Sequence, residues 1–145
     1  MSLSKYFRAV AAAAAILAQP ALACSFDISF NSYFEPGADR LPASEVRRMA
    51  EWMIDDPAAY ENKKDFHIAL YEAPAFGVSH VLARKRTAHL KQLLTTFGVP
   101  ASMISMEIAP YNQGKSMAPN FAHINFMPGC PHPCCPGPEP TSQIR

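Results

Sequence analysis

The sequence predicts a two-layer α/β (α+β) sandwich with the element order βαβαββ. Strand-like and helix-like hydrophobic patterns alternate along residues 25–127, and only the last two strands follow each other without a helix between them. This segment is about a hundred residues long, which is enough for one hydrophobic core. Since we find no internal repeat and no second domain boundary, we expect one domain over residues 24–127, followed by a Pro-rich tail.

The first half of the domain is predicted to contain a strand, a helix and a second strand. Apolar residues at alternate positions of 26–31 indicate a half-buried strand, and Pro36-Gly37 breaks the chain after it. Ser44 is a typical N-cap for the helix that follows, and Pro57 disfavours its continuation. The run Phe66 to Tyr71 is short and rich in β-forming residues, which indicates a more buried strand. The expected core positions of the first strand and helix are Phe26, Ile28, Phe30, Val46, Met49, Ala50 and Met53.

The second half is predicted to contain a long helix and two strands. Apolar residues recur at helical spacing from about Ser79 to Phe97, and Gly98 is a typical residue just past a helix end. A third strand is expected after Pro100, and a fourth follows the Pro110–Pro119 loop. Their apolar residues are Met103, Ile104, Met106, Ile108, Phe121, Ile124 and Phe126, and we expect Met103 and Met106 to be core residues rather than copper ligands.

Residues 1–23 have the pattern of a secretory signal peptide. Lys5 and Arg8 precede an apolar run of about ten residues, which Gln19-Pro20 and small residues follow. A membrane span needs roughly 20 apolar residues. We therefore expect an exported protein whose mature chain has no transmembrane segment.

Cys24, the first residue after this segment, has two interpretations. Simple cleavage before Cys24 is favoured, because lipoprotein sites usually carry Leu three positions before the cysteine and this chain has Ala21 there. Lipidation of Cys24 is the alternative. Both interpretations place the mature protein outside the cytoplasm.

Residues 128–145 form a Cys- and Pro-rich tail that we expect to be extended and flexible. It holds six of the 14 prolines and three of the four cysteines. In an oxidising compartment four cysteines can form two disulfides with three connectivities, which the sequence does not rank. The alternative is a copper(I) or zinc site formed by Cys130, His132, Cys134 and Cys135.

Charge and motif content exclude several classes of function. Without residues 1–23, 11 basic and 12 acidic side chains remain, a net charge of −1 that offers no attraction to nucleic acid. We find no phosphate-binding loop, no nucleophile elbow and no zinc-protease motif. We therefore expect a binding protein without a cofactor rather than an enzyme.

The second predicted helix and its flanks resemble the OmpA-like peptidoglycan-binding domain. The segment Leu82-Ala83-Arg84-Lys85-Arg86-Thr87 is similar to the family's Leu-Ser-x-x-Arg-Ala helix, and Gly98-Val99-Pro100-Ala101 is similar to its Gly-(Ile/Val)-Pro-Ala segment. The twelve residues from Arg86 to Gly98 match the family spacing without a gap. The resemblance covers about residues 26–127, including Phe30-Asn31-Ser32 and Asn120, the latter similar to the start of an Asn-Arg-Arg-Val segment.

This resemblance implies a site for the diaminopimelate of the peptidoglycan stem peptide. In the family, the helix Arg and an Asp at the end of the second strand grip the ligand; a guanidinium suits its carboxylate and an acid suits its ammonium. Arg86 keeps the family residue. The Asp position holds Tyr71 if counted without a gap, or Glu72 with one deletion, and Ser79 replaces an Asn. The resemblance thus implies that Arg86, Glu72, Tyr71 and Ser79 bind the ligand.

Two functions remain open at this point. Arg86 favours non-covalent attachment to peptidoglycan in the periplasm or at the outer membrane. The missing Asp favours a degenerate domain that serves as a structural or protein-interaction module with an envelope partner, its tail disulfide-linked or metal-bound. In the second case Arg86 would only extend from the border of the helix's apolar face.

We predict that the mature N-terminus is Cys24, because Ala21 and Ala23 place small residues at the two positions that a signal peptidase reads. The intact mass of the exported protein measures this directly. A start far from residue 24 would contradict the prediction, and a mass raised by acyl chains would select the lipoprotein alternative.

Overall fold

Four strands and two helices make up the domain in the computed structural model, which describes residues 28–112, 114 and 117–130. The sheet order is β1-β4-β2-β3; β4 is antiparallel to both of its neighbours, and β2 is parallel to β3. This is the predicted α/β sandwich, in the predicted element order. The elements are β1 (Ile28–Tyr33), α1 (Ala43–Asp55), β2 (Lys63–Glu72), α2 (His80–Thr96), β3 (Ile104–Pro110) and β4 (Phe121–Pro128).

The core lies between the two helices and one face of the sheet. Alternate residues of the central strands β2 and β4 are buried, as a two-residue side-chain period requires. They pack with residues of both helices, so α1 and α2 cover the same face. Phe66 lies near the centre, 4.7 Å from the Phe126 ring and 6.5 Å from the Trp52 ring. The opposite face of the sheet is an open face that no described helix covers, and it includes Ser29, Asn31, Asp65, His67, Ala69, Tyr71, Ser105, Glu107, Phe121, His123 and Asn125.

Two segments fix the position of α2. Before it, Ala73 and Val78 form a two-bond bridge around a short 3₁₀ turn, which Gly77 closes at φ +77°. After it, Gly98 adopts φ +89° and its N–H reaches the Thr95 carbonyl, which confirms the predicted helix end. Because both ends are held by backbone hydrogen bonds, α2 presents a defined face to the sheet.

Two local predictions were wrong. Helix α1 begins at Ala43 rather than after Ser44, because the extended Pro42 already accepts from the Glu45 and Val46 N–H groups. Met106 is not a core residue: it is 47% exposed, because it lies on the edge strand β3 at a groove that α2 leaves open, whereas Met103 packs partly buried against the core. Phe26, part of the predicted first strand, lies outside the described residues.

The end of β4 is tied to the start of β2. Pro128 is buried, Gly129 N–H donates to the Asn62 carbonyl at 2.7 Å, and the Asn62 amide donates to the Cys130 carbonyl at 2.6 Å. Residues 131–145 lie outside the described part of the chain, as do residues 1–27. The predictions of a signal peptide, a lipidated Cys24, disulfides and a metal site in the tail therefore stay predictions.

Candidate functional site

Arg86 is a buried side chain on the inner face of α2. It is 1% exposed and belongs to a helix face that also buries Ala83, Thr87, Leu90 and Leu94. A buried arginine must exchange its hydration for hydrogen bonds within the protein, because an unpaired buried charge is costly. Its partners therefore define what this side chain does.

The guanidinium of Arg86 is hydrogen-bonded to the β1–α1 loop and to the segment before β4. Its Nε–H donates to the Ala38 carbonyl at 2.8 Å and its Nη2 to the Glu35 carbonyl at 3.2 Å. Nη1 donates to Asn120 Oδ1 at 3.1 Å. The Phe34 ring lies under the guanidinium, 4.7 Å from ring centroid to Cζ, in a cation–π contact. One side chain thus joins α2 to both neighbouring loops.

The electrostatic setting of Arg86 follows from this burial. Burial lowers the pKa of Arg86 from its ordinary value, and the charges of Tyr33 and Asp39 oppose the shift. Arginine nevertheless stays protonated in proteins. The cation is therefore satisfied mainly by two carbonyls and one amide, with the acidic Asp39 nearby.

Glu72 and Ser79 are engaged elsewhere. Glu72 Oε2 lies 2.6 Å from His80 Nδ1, which pairs the end of β2 with the first residue of α2. The Ser79 hydroxyl accepts from the Leu82 N–H at 3.2 Å, so Ser79 is the N-cap of α2. Within the described part of the chain, the hydrogen bonds of the Arg86 guanidinium go to other residues.

Tyr71 lies on the open face of the sheet, away from the helix layer. It lines a cavity of about 710 Å³ with Asn31 and His123, and its ring is 5.6 Å from that of Tyr111. His123 Nδ1 lies 2.8 Å from Asn31 Oδ1. Because Oδ1 can only accept, His123 donates from Nδ1. The four predicted ligand residues thus occupy three places: a buried loop anchor, the end of β2 with the start of α2, and the open face.

Sequence reasoning missed several partners of Arg86. The sequence marks Asn120 only through its resemblance to the family's Asn-Arg-Arg-Val segment, and no motif marks Asp39. The Glu35 and Ala38 carbonyls have no signature in a sequence, because every residue has a carbonyl. Pro36-Gly37 was the sole available signal, since such a pair favours a turn that can direct carbonyls inward.

A second polar arrangement lies on the open face between β2 and β3. His67 lies between Ser105, 3.1 Å from Nδ1 to Oγ, and Glu107, 3.4 Å from Nε2 to Oε2. The Ser105 hydroxyl also donates toward Asp65 at 3.3 Å. A hydroxyl whose proton is directed to a carboxylate is not poised to transfer it to the histidine, so the group forms a hydrogen-bonded polar surface. Within the described residues, no cluster of three or more His, Cys, Asp or Glu side chains could hold a metal ion.

No helix among the described residues has the length and apolar character needed to cross a membrane.

No protein-family model matches the chain, and a search of curated proteins finds no match. Among solved structures, the chain is similar to the OmpA-like domain of FopA1 from Francisella tularensis subsp. tularensis SCHU S4. The TM-score is 0.48 at 11% identity, covering 70% of this chain and 75% of that chain. The likeness concerns the course of the chain and not the residues of a site.

Replacing Arg86 by Met should lower the free energy of unfolding by about 2–4 kcal/mol, because the apolar stem is retained while the donors to Ala38, Glu35 and Asn120 are lost. Chemical denaturation measures this. The control Arg47→Met removes an exposed arginine from α1 and should change the value by less than about 0.5 kcal/mol. Equal, small effects of both substitutions would contradict a structural role for Arg86.

His89 predicts a pH dependence of stability. Its Nε2 is buried without a hydrogen-bond partner among the described residues, and burial, then the charge of Arg40, lower its pKa below the ordinary 6.5. A lowered folded pKa means that the unfolded chain binds the proton more tightly, so stability is complete above 6.5 and falls as the pH drops toward the folded value. Melting temperatures from about pH 8 to about pH 5 should fall less steeply for His89→Gln than for the wild type. Parallel curves would contradict this assignment.

Proposed function

We propose that this chain is an exported cell-envelope protein whose OmpA-like domain is a non-catalytic, protein-interaction module, in which Arg86 stabilises the fold and does not grip a ligand. The observation that carries the proposal is the state of the Arg86 guanidinium, 1% exposed and hydrogen-bonded on both sides. The signal-peptide pattern supports export to the periplasm or an outer-membrane-associated location.

A ligand carboxylate would have to compete with acceptors that Arg86 already has. A bidentate pair uses two adjacent N–H groups, either Nε with one Nη or the two Nη atoms together. The Ala38 carbonyl accepts from Nε, the Glu35 carbonyl from Nη2 and the Asn120 side chain from Nη1, so each nitrogen already has one acceptor within the protein. A stem-peptide carboxylate would also have to reach a side chain that is 1% exposed.

The acid for the ligand's ammonium is also separate from the guanidinium. Glu72 pairs with His80 at 2.6 Å, and Tyr71 lies on the open face. Recognition of a zwitterion needs the anionic and cationic groups side by side at the spacing of the ligand's own charges. Glu72 and Arg86 could hold the two charges of one ligand only if the loops around them rearranged.

Stem-peptide binding is the second candidate, and one contact favours it. Arg86 and Asn120 both fall at positions that resemble the family motifs, and they are hydrogen-bonded to each other. If the β1–α1 loop opened, both would face the same space. This candidate requires residues 35–38 to exchange their bonds to Arg86 for bonds to water.

Calorimetric titration of the mature protein with the tripeptide L-Ala-γ-D-Glu-meso-diaminopimelate separates the two candidates. We expect no saturable heat, and equal cosedimentation with purified sacculi for wild type, Glu72→Gln and the matched control Glu61→Gln, an exposed acid ahead of β2. Arg86→Met is unsuitable alone because it should also lower stability. Saturable tripeptide binding that Glu72→Gln weakens and Glu61→Gln does not would overturn the proposal and establish the second candidate.

A further inference from the structure

An apolar groove runs between α2 and β3. Its volume is about 480 Å³, and Met106, Ile108 and Ala88 supply its apolar lining. Met106 is 47% exposed. Contact between a large apolar side chain and water is unfavourable, so a partner that covers Met106 would gain free energy from its burial. The groove is formed entirely by described residues.

The groove borders the edge of the sheet. In the order β1-β4-β2-β3, β3 has β2 on one side and no strand of the described chain on the other. The outer side of an edge strand presents backbone N–H and C=O groups that can pair with another strand. An extended segment placed there would continue the sheet and at the same time cover Met106 and Ile108.

The groove has charge of one sign along its helix side. Arg84 and Lys91 line it together with His80, and Lys85 lies on the same exposed surface of the helix. Helix α2 contains no Asp or Glu in its 17 residues. The acids of β2 and β3 near the groove are already paired, Glu72 with His80 and Glu107 with His67 on the open face, and Asp39 lies beside Lys85. The mature chain has a net charge of −1, so this positive surface is a local feature.

We propose that this α2–β3 groove binds an extended acidic segment of a partner protein, which adds to β3 as a fifth strand. The inference rests on the proposed function, a protein-interaction module, and names the chemistry of the partner. Side chains of an added strand alternate between the two faces of the sheet. On the helix side the segment should present apolar residues to Met106 and Ile108 and acids to Arg84 and Lys91.

The probe is a fluorescein-labelled nonapeptide, Thr-Leu-Thr-Glu-Thr-Leu-Thr-Glu-Thr, whose Leu and Glu residues share one face of a strand. Fluorescence anisotropy with the full mature protein should show saturable binding that weakens with added salt. The peptide with Gln in place of both Glu residues should bind about tenfold more weakly. Two versions N-methylated at alternate residues test strand pairing: one register should abolish binding and the other should retain it.

Matched variants test the site on the protein. Arg84→Glu with Lys91→Glu should lower affinity about tenfold or more. Arg47→Glu with Lys64→Glu makes the same charge change at exposed positions of α1 and early β2 and should leave affinity within about twofold. Melting temperatures of both double variants verify that they are folded.

Several results would overturn the inference. These are no saturable binding of the probe, equal loss in both double variants, equal binding of the two N-methylated peptides, and equally tight binding of polyglutamate without apolar residues. A stable dimer that buries the groove, or binding of anionic vesicles that the probe does not displace, would assign the groove to a different occupant. If the nonapeptide does not bind and the tripeptide does not bind either, this inference fails but the proposed function stands. If the tripeptide binds, the proposed function fails whatever the nonapeptide does.

Discussion

The placement of the loops around α2 depends on the buried cation of Arg86. A guanidinium that is 1% exposed has given up its hydration, so every bond it makes constrains the group that accepts it. The Glu35 and Ala38 carbonyls are directed inward, Asn120 is held before β4, and Phe34 is fixed under the cation. Segments that are far apart in sequence, near residues 35, 86 and 120, therefore share one anchor.

This constraint separates the inner and outer surfaces of the domain. On the inner side, the Arg86 guanidinium donates hydrogen bonds to other groups of the domain and is 1% exposed. On the outer side, α2 keeps Arg84, Lys85 and Lys91 in water beside the unpaired edge of β3. The same helix thus stabilises the domain with one arginine and offers charge to a partner with its other cations.

The architecture was predictable from sequence because it depends on hydrophobic period. Ile28 and Phe30 in β1, Phe66 in β2, Leu90 and Leu94 in α2 and Ile124 in β4 pack as their spacing indicates, and Gly98 ends α2 as expected. Met106 was misassigned because period reports which face of a strand a residue occupies but not whether the strand is at the edge of the sheet. Ser44 is not the cap, because the extended Pro42 provides the first acceptor two residues earlier.

The site was less predictable, for a different physical reason. A motif identifies Arg86, but the function of a guanidinium depends on its acceptors, and two of these are backbone carbonyls that no residue type marks. Tyr71 and Glu72 are adjacent in sequence and point to different faces, since successive strand side chains alternate. Glu72 therefore lies on the helix side of the sheet, where its partner is His80 and not Arg86.

The central claim is that the Arg86 guanidinium is buried and does not bind a ligand. Hydrogen exchange of the Arg86 Nε–H, measured by NMR, tests this claim most directly, and an Arg86→Lys variant assigns the resonance. If the Ala38 carbonyl holds this group in a dry interior, its exchange should be far slower than that of the exposed Arg47 Nε–H, and its resonance should not move when the diaminopimelate tripeptide is added. Exchange as fast as that of Arg47, together with a resonance that shifts on addition of the tripeptide, would show an open guanidinium that binds ligand and would contradict the account.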